Sequence, residues 1–315
     1  MFEFLANIFG YILNFIYNFV SNYGLALILF TILIKIVLLP ISIKQQKTMK
    51  KSAKLQEQMK AIQFKYKNDP EKMNQEIISL YKTEKMSPFS GCLSSILQLI
   101  LLLSVFYMVR QPLTYMKNLD NYFVNKDETV ETVQNLEMSN SAEKNDDTVS
   151  LIDYYQKKIS ESEDMNLGSY QEISVISYYG QSDEKIKINM DFLGLDLSQI
   201  PRENASDYRV WVIPVLYIIS SFISIRLTTA MQKQNAKKKD DVIDITEGKD
   251  KKEEEKNEVD MAMQTNKTMS WLMPIMAIMI ATVAPLGLAL YWLVNNILMI
   301  IERLVLNKVL KSEEE

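Results

Sequence analysis

The chain has 315 residues, 48% hydrophobic and 23% charged, with a formal net charge of −4. It has no histidine and a single cysteine, Cys92, which excludes imidazole acid–base chemistry, His- or Cys-cluster metal centres and any internal disulfide. The acidic balance argues against a DNA binder, and the scarcity of Gly and Pro excludes collagen-like and Pro/Gly-rich disordered chains.

These averages hide a segregation of apolar and charged blocks. In residues 1–20, Phe2, Leu5, Phe9, Ile12, Ile16 and Phe19 recur every three or four positions, and Glu3 is the only charge. This pattern predicts an interfacial amphipathic helix lying in the headgroup plane, with an additional weak span as its rival. No Lys or Arg precedes Lys35, so the basic start of a secretory signal is missing, and no N-terminal cysteine offers a lipoprotein anchor. Residues 23–43 form the first predicted span, interrupted only by Lys35 and Pro40.

Residues 44–86 carry two apolar stripes: Leu55, Met59, Ile62, Tyr66, then Met73, Ile77, Leu80, Tyr81. Asn68-Asp69-Pro70 between them is a stop-and-restart signal, so the segment predicts an antiparallel helical hairpin with basic outer faces. Its candidate partner contacts are Lys50, Lys54, Lys60, Lys65 and Lys67. The alternative is a solvated linker that only satisfies topology.

Residues 91–109 predict a second span. The loop 111–209 is long and acidic, with a polar, poorly ordered stretch over 118–140 and a small β-hairpin expected over 172–190. Residues 210–227 predict a third span, and the Lys/Glu/Asp-rich segment 230–269 a disordered charged linker. The last apolar block, 271–301, is 31 residues without a charge. Dividing it at Ala284-Pro285-Leu286-Gly287 yields a fourth span, 271–284, and a fifth, 286–302, each only ~21–24 Å long. Spans that short thin the bilayer around them. A tail, 303–315, follows.

Lysines orient the chain. Segment 44–85 holds eleven lysines against five acidic residues, loop 111–209 nine basic against nineteen acidic, and 230–269 nine lysines. Basic flanks stay in the cytoplasm, so the N-terminus and 111–209 fall outside. With five spans the C-terminal tail returns inside; a single kinked span over 271–301 would leave it outside.

No glycine-rich phosphate loop and no catalytic constellation occurs, so the chain reads as a non-enzyme without a cofactor. With the last apolar run taken as uncharged to Ile301, Lys35 is left as the one intramembrane charge, with no carboxylate to pair with it. A central lysine costs about 2.5–3.5 kcal/mol, so it faces a wet cavity or snorkels toward the cytoplasm. Ser94, Ser95, Gln98, Ser220, Ser221, Ser224, Asn295 and Asn296 add polarity at membrane depth, with Tyr291 and Trp292 beside the asparagines. Two roles are open for them: interhelical hydrogen bonds, or the lining of a polar groove around the cation.

Several runs resemble the YidC/Oxa/Alb membrane protein insertase family in its bacterial form. They are Asn22-Tyr23-Gly24-Leu25-Ala26 through Lys35 to Leu39-Pro40-Ile41-Ser42-Ile43-Lys44-Gln45, Lys65-Tyr66-Lys67-Asn68-Asp69-Pro70, and Leu80-Tyr81-Lys82. Pro88 with Gly91-Cys92-Leu93 and Leu97-Gln98, Trp271-Leu272-Met273-Pro274, and Pro285-Leu286-Gly287-Leu288-Ala289-Leu290-Tyr291-Trp292 with Asn296 complete the set. The resemblance covers about 22–112 and 208–305.

It implies an all-α polytopic membrane protein with five spans, a cytoplasmic hairpin, and a groove open to cytoplasm and lipid but closed outside. It also implies insertion of nascent membrane proteins into the lipid bilayer of the bacterial inner membrane, with the ribosome and a Sec-type translocon as partners. The implied groove residues are Lys35, Gln98, Ser224, Trp292, Asn295 and Asn296. Lys35 stands where arginine is usual, Leu99-Ile100 replace the proline usual after Gln98, Ser224 falls near a family Gln-Gln pair, and loop 111–209 is longer than usual. The rival functions are a small transporter or channel, and a receptor or scaffold acting through the external loop.

Overall fold

The computed structural model describes residues 2–84, 90–237 and 279–312, without the side chains at 49–50, 52–54, 56–57, 60, 90–96, 98, 228–229, 231–237 and 310–312. The charged linker beyond 237 and most of the fourth predicted span lie outside the described residues.

Helix α1 (Phe2–Val20) buries Ala6, Phe9, Gly10 and Leu13 along one face. Phe4, Ile8, Tyr11, Phe15 and Phe19 remain exposed on the other. The buried face packs against α2 (Tyr23–Lys65) and α4 (Ser90–Arg110), and the Phe9 ring meets Phe30 edge-on at 5.6 Å. Gly10 is required there, because a Cβ would collide with the backbone carbonyl of Tyr115. Ser21 reverses the chain with a left-handed φ of 51°. Asn22 then caps α2, its Oδ1 accepting from the Leu25 N–H at 3.0 Å.

Helix α2 runs unbroken for 43 residues, about 64 Å at 1.5 Å per residue. The expected first span and the first arm of the hairpin are therefore one rod. Pro40, inside it, removes one backbone donor without ending it. Asp69 starts α3 (Pro70–Thr83) by accepting from the Lys72 N–H at 3.0 Å. The helix folds back until the Tyr81 hydroxyl reaches the Met59 sulfur at 3.5 Å.

Beyond loop 111–209 come α9 (Val212–Lys237), α10 (279–283) and α11 (Leu286–Ser312), the last two separated at 284–285. Three stretches among the described residues are long and apolar enough to cross a membrane: Tyr23–Thr48, Tyr208–Leu227 and Leu286–Val309. The apolar part of α4, Leu99–Arg110, is shorter.

Loop 111–209 departs from two expectations. Far from being poorly ordered, 118–140 contributes Leu119, Tyr122, Val124 and Val133 to a buried core. It also holds strand β1 (Phe123–Asn125), antiparallel to β2 (Thr148–Ser150) with Val124 opposite Val149, and helix α6 (Val130–Asn135). The expected β-hairpin over 172–190 is absent, and its first half is helix α8 (Gln171–Tyr179). The Ile-Ser-Val-Ile alternation is only four residues long, and Ile173, Ile176 and Tyr179 also satisfy the helical period. Packing on α7 (Leu151–Ser160) decides between the two, with Tyr179 against Tyr155 at 4.5 Å.

Two buried carboxylates fasten this region. Asp183 accepts from the Tyr155 hydroxyl at 2.8 Å and pairs with Lys185 at 3.0 Å. Lys185 also donates to the carbonyls of Gln134 and Leu136 at 3.0 and 3.2 Å. Glu172 accepts from the backbone N–H groups of Leu113 and Thr114 at 2.7 and 3.0 Å, and from the Thr114 hydroxyl at 2.6 Å. It thereby ties α8 to α5 (Pro112–Tyr115), just beyond α4. Burial pushes its carboxyl up to about 7, against the lowering effect of those three donors.

A strap over 189–202 then closes the N-terminal ends of two long helices. Its Asn189 carbonyl accepts from Tyr23 N–H at 3.0 Å, and its Asp191 carbonyl from the Asn22 amide at 2.6 Å. Leu197 and Gln199 carbonyls accept from Gly287 and Leu286 N–H, both at 2.9 Å. These are first-turn donors that a helix cannot satisfy itself. Between them β3 (Asp191–Phe192) and β4 (Leu195–Asp196) form a small antiparallel pair. Phe192 lies so close to Gly24 that a Cβ there would meet its ring at 2.5 Å.

Candidate functional site

The charged and polar side chains inside the apolar helices gather on α11. At the strap, the Tyr23 ring lies against Gly287, so α2 and α11 start side by side and run in the same direction. Lys35 is about 18 Å along α2 from that point, and Glu302 about 22 Å along α11. Their side chains meet there, Lys35 Nζ to Glu302 Oε2 at 3.4 Å, with 21% and 15% of each side chain exposed.

This corrects the expectation of a lone intramembrane cation. Glu302 sits one residue past the uncharged run and was assigned to the end of the last span. In fact α11 continues to Ser312, and its apolar stretch reaches Val309, so the carboxylate lies within it. Sequence reasoning missed Glu302, although a signal existed. Lys35 is the only charge between Glu3 and Lys44, and Glu302 the only carboxylate from 271 to 312.

A second face of α11 meets α9. Asn296 Nδ2 donates to Ser220 Oγ at 2.9 Å and to Ser221 Oγ at 3.3 Å, with all three residues buried. One helical repeat further on, Arg303 Nη1 approaches Ser224 Oγ at 3.5 Å. Trp292 is partly buried against Tyr217, with ring centroids 6.0 Å apart, and Asn295 is half-buried beside it. Ser224 and Asn296 thus lie in a polar seam between α9 and α11, while Lys35 lies on the α2 side. The Gln98 side chain is outside the described residues; its backbone belongs to α4.

Of the hairpin lysines, Lys65 and Lys67 are exposed, and Lys65 and Lys72 approach the Tyr66 ring at 5.2 and 5.5 Å. Both lie at the tip where α2 gives way to α3. The side chains of Lys50, Lys54 and Lys60 are outside the described residues.

A family model described as 60Kd inner membrane protein matches residues 15–314. The chain is 38% identical over 110 residues to a protein named membrane protein insertase YidC from Fusobacterium nucleatum, covering 35% of this chain and 54% of that one. A protein of the same name from Caldanaerobacter subterraneus is 43% identical over 106 residues, 34% of this chain and 52% of its own length. A third, from Syntrophobacter fumaroxidans, is 42% identical over 108 residues, 34% of this chain and 20% of its own length. The matched segments thus span about half the length of the first two relatives and a fifth of the third.

Proposed function

The chain belongs to the 60Kd inner membrane protein family, and from that premise we propose that it is a membrane protein insertase. It takes nascent hydrophobic segments from the cytoplasm and releases them sideways into the lipid bilayer of a bacterial inner membrane. No bond is made or broken, so it is not an enzyme. The reading has five spans, with α4 and the 271–284 segment completing the three long ones. The N-terminus is outside, α1 rests at the outer interface, and the C-terminus is cytoplasmic.

The single observation that carries the reading is the polar set held inside apolar helices: Lys35 with Glu302, and Asn296 with Ser220 and Ser221. An unsatisfied polar group in hydrocarbon costs several kcal/mol. A groove lined by Lys35, Gln98, Ser224, Trp292, Asn295 and Asn296 lowers that cost for a client's short polar flank while its apolar part moves into lipid. The basic hairpin, with Lys50, Lys54, Lys60, Lys65 and Lys67, receives the client from the ribosome, alone or with a Sec-type translocon.

The test is insertion by the purified full chain in proteoliposomes of a short single-span client, read by protease protection of its translocated flank. Protection above that in protein-free liposomes is expected. Equal protection in both would refute the function.

A further inference from the structure

We propose that Glu302 is the resting occupant of the site a client carboxylate takes on Lys35, and so sets which client flanks the chain prefers. The proposal rests on the insertase reading and adds a residue and a selectivity to it.

Three observations lead there. The only charge within the first span lies against the only carboxylate of the last helix, though 267 positions separate them in sequence. The contact is monodentate and, at 3.4 Å, longer than the 2.7–2.9 Å of an optimal charged hydrogen bond. Both side chains keep partial exposure, so the protein leaves room for a second carboxylate to approach the ammonium.

A lysine makes point contacts through three rotatable donors, whereas an arginine would grip Glu302 with a planar fork. One carboxylate can therefore replace another at Lys35 without leaving the ammonium bare. The exchange avoids the penalty of an uncompensated buried charge, which is what breaking such a pair outright incurs. As an acidic flank binds Lys35, Glu302 is released toward the cytoplasmic end of α11. A basic flank gains nothing at Lys35 and displaces nothing from it. A basic flank leaves the Lys35–Glu302 pair closed, so its insertion does not depend on Glu302, and the pair taxes acidic flanks alone, by competition.

The experiment uses the full chain in proteoliposomes without a membrane potential, and two clients identical except for an acidic or a basic translocated flank. The quantity read is the acidic-to-basic ratio of insertion within each variant. In Glu302→Gln the ratio rises about fivefold, about 1 kcal/mol at 1.4 kcal/mol per decade. In a Lys35→Gln background the same Glu302→Gln change leaves the ratio near where Lys35→Gln alone sets it, as coupled residues require.

An unchanged ratio in Glu302→Gln, with both clients still inserted, overturns this proposal and leaves the insertase reading standing. An equal rise with and without Lys35 also overturns it, since Glu302 would then act on clients directly. Failure of the unsubstituted chain to insert either client overturns both.

Discussion

Replacing Glu172 by Gln should make the folded 111–209 region indifferent to pH where the unsubstituted region is not. The carboxyl is 3% exposed and faces two backbone N–H groups and a hydroxyl. Burial nevertheless holds it protonated up to about 7, against an ordinary value of 4.5. Ionising it in place therefore costs about 3 kcal/mol more than in the unfolded chain, at 1.36 kcal/mol per pH unit. The sign follows from proton counts. Between pH 4.5 and 7 the folded domain keeps a proton that the unfolded chain has released, so stability falls as pH rises through that window and levels off above it. From pH 5.5 to pH 8 the loss is about 2 kcal/mol.

In Glu172→Gln the amide oxygen still accepts from Leu113 and Thr114 N–H, and the amide nitrogen donates to the Thr114 hydroxyl. This dependence disappears. In Glu172→Ala those donors lose their acceptor at every pH, costing about 2–4 kcal/mol. The assay is amide hydrogen exchange of α8 and residues 112–115 in nanodiscs, corrected for intrinsic rates, at both pH values. Protection of the unsubstituted protein that is flat or rises with pH would refute the reasoning. The hydrogen bonds to the charged form would then outweigh its desolvation.

Asp183→Asn leaves the Lys185 ammonium buried without its counter-charge and should cost about 3 kcal/mol, read as a lower unfolding temperature by near-ultraviolet dichroism. Gly10→Ala drives a methyl into the Tyr115 backbone and should loosen α1 by about 1–3 kcal/mol, seen as faster proteolysis of residues 2–20. Asn296→Ala removes both hydrogen bonds to α9 and should cost about 1 kcal/mol in a detergent-denaturation series. For orientation, in a Cys92→Ser background a cysteine at Ser141 should label from outside intact cells, and one at Lys308 only after permeabilisation; outside labelling of both would sink the five-span count.

The spans over 23–43 and 210–227 were legible because each is an apolar run about as long as a bilayer is thick. The turn at Asn68-Asp69-Pro70 was legible because its capping and proline chemistry is local. Local signals could not expose the Lys35–Glu302 contact, since neither residue's neighbours mark the other. Counting the uncharged run to Ile301 placed the carboxylate at a boundary instead of inside a helix. Order in 118–140 was hidden for a different reason. Its buried members, Leu119, Tyr122, Val124 and Val133, are isolated among polar residues, and the stretch packs on elements distant in sequence such as α7. The strap left no trace in side-chain type, because its bonds to Tyr23, Leu286 and Gly287 run from backbone carbonyls.

Pinning α2 and α11 at their N-terminal ends gives the pair the mechanics of tongs. With the pivot at Asn189–Gln199 and the ion pair about 20 Å away, a tilt of only about 8° parts Lys35 from Glu302 by a further ~3 Å. The same tilt barely moves the pivot, where backbone hydrogen bonds and Phe192 on Gly24 keep the jaws shut. A machine built this way widens on one side only. The proposed insertase, so hinged, needs no alternation between inward and outward access of the kind a rocking transporter makes.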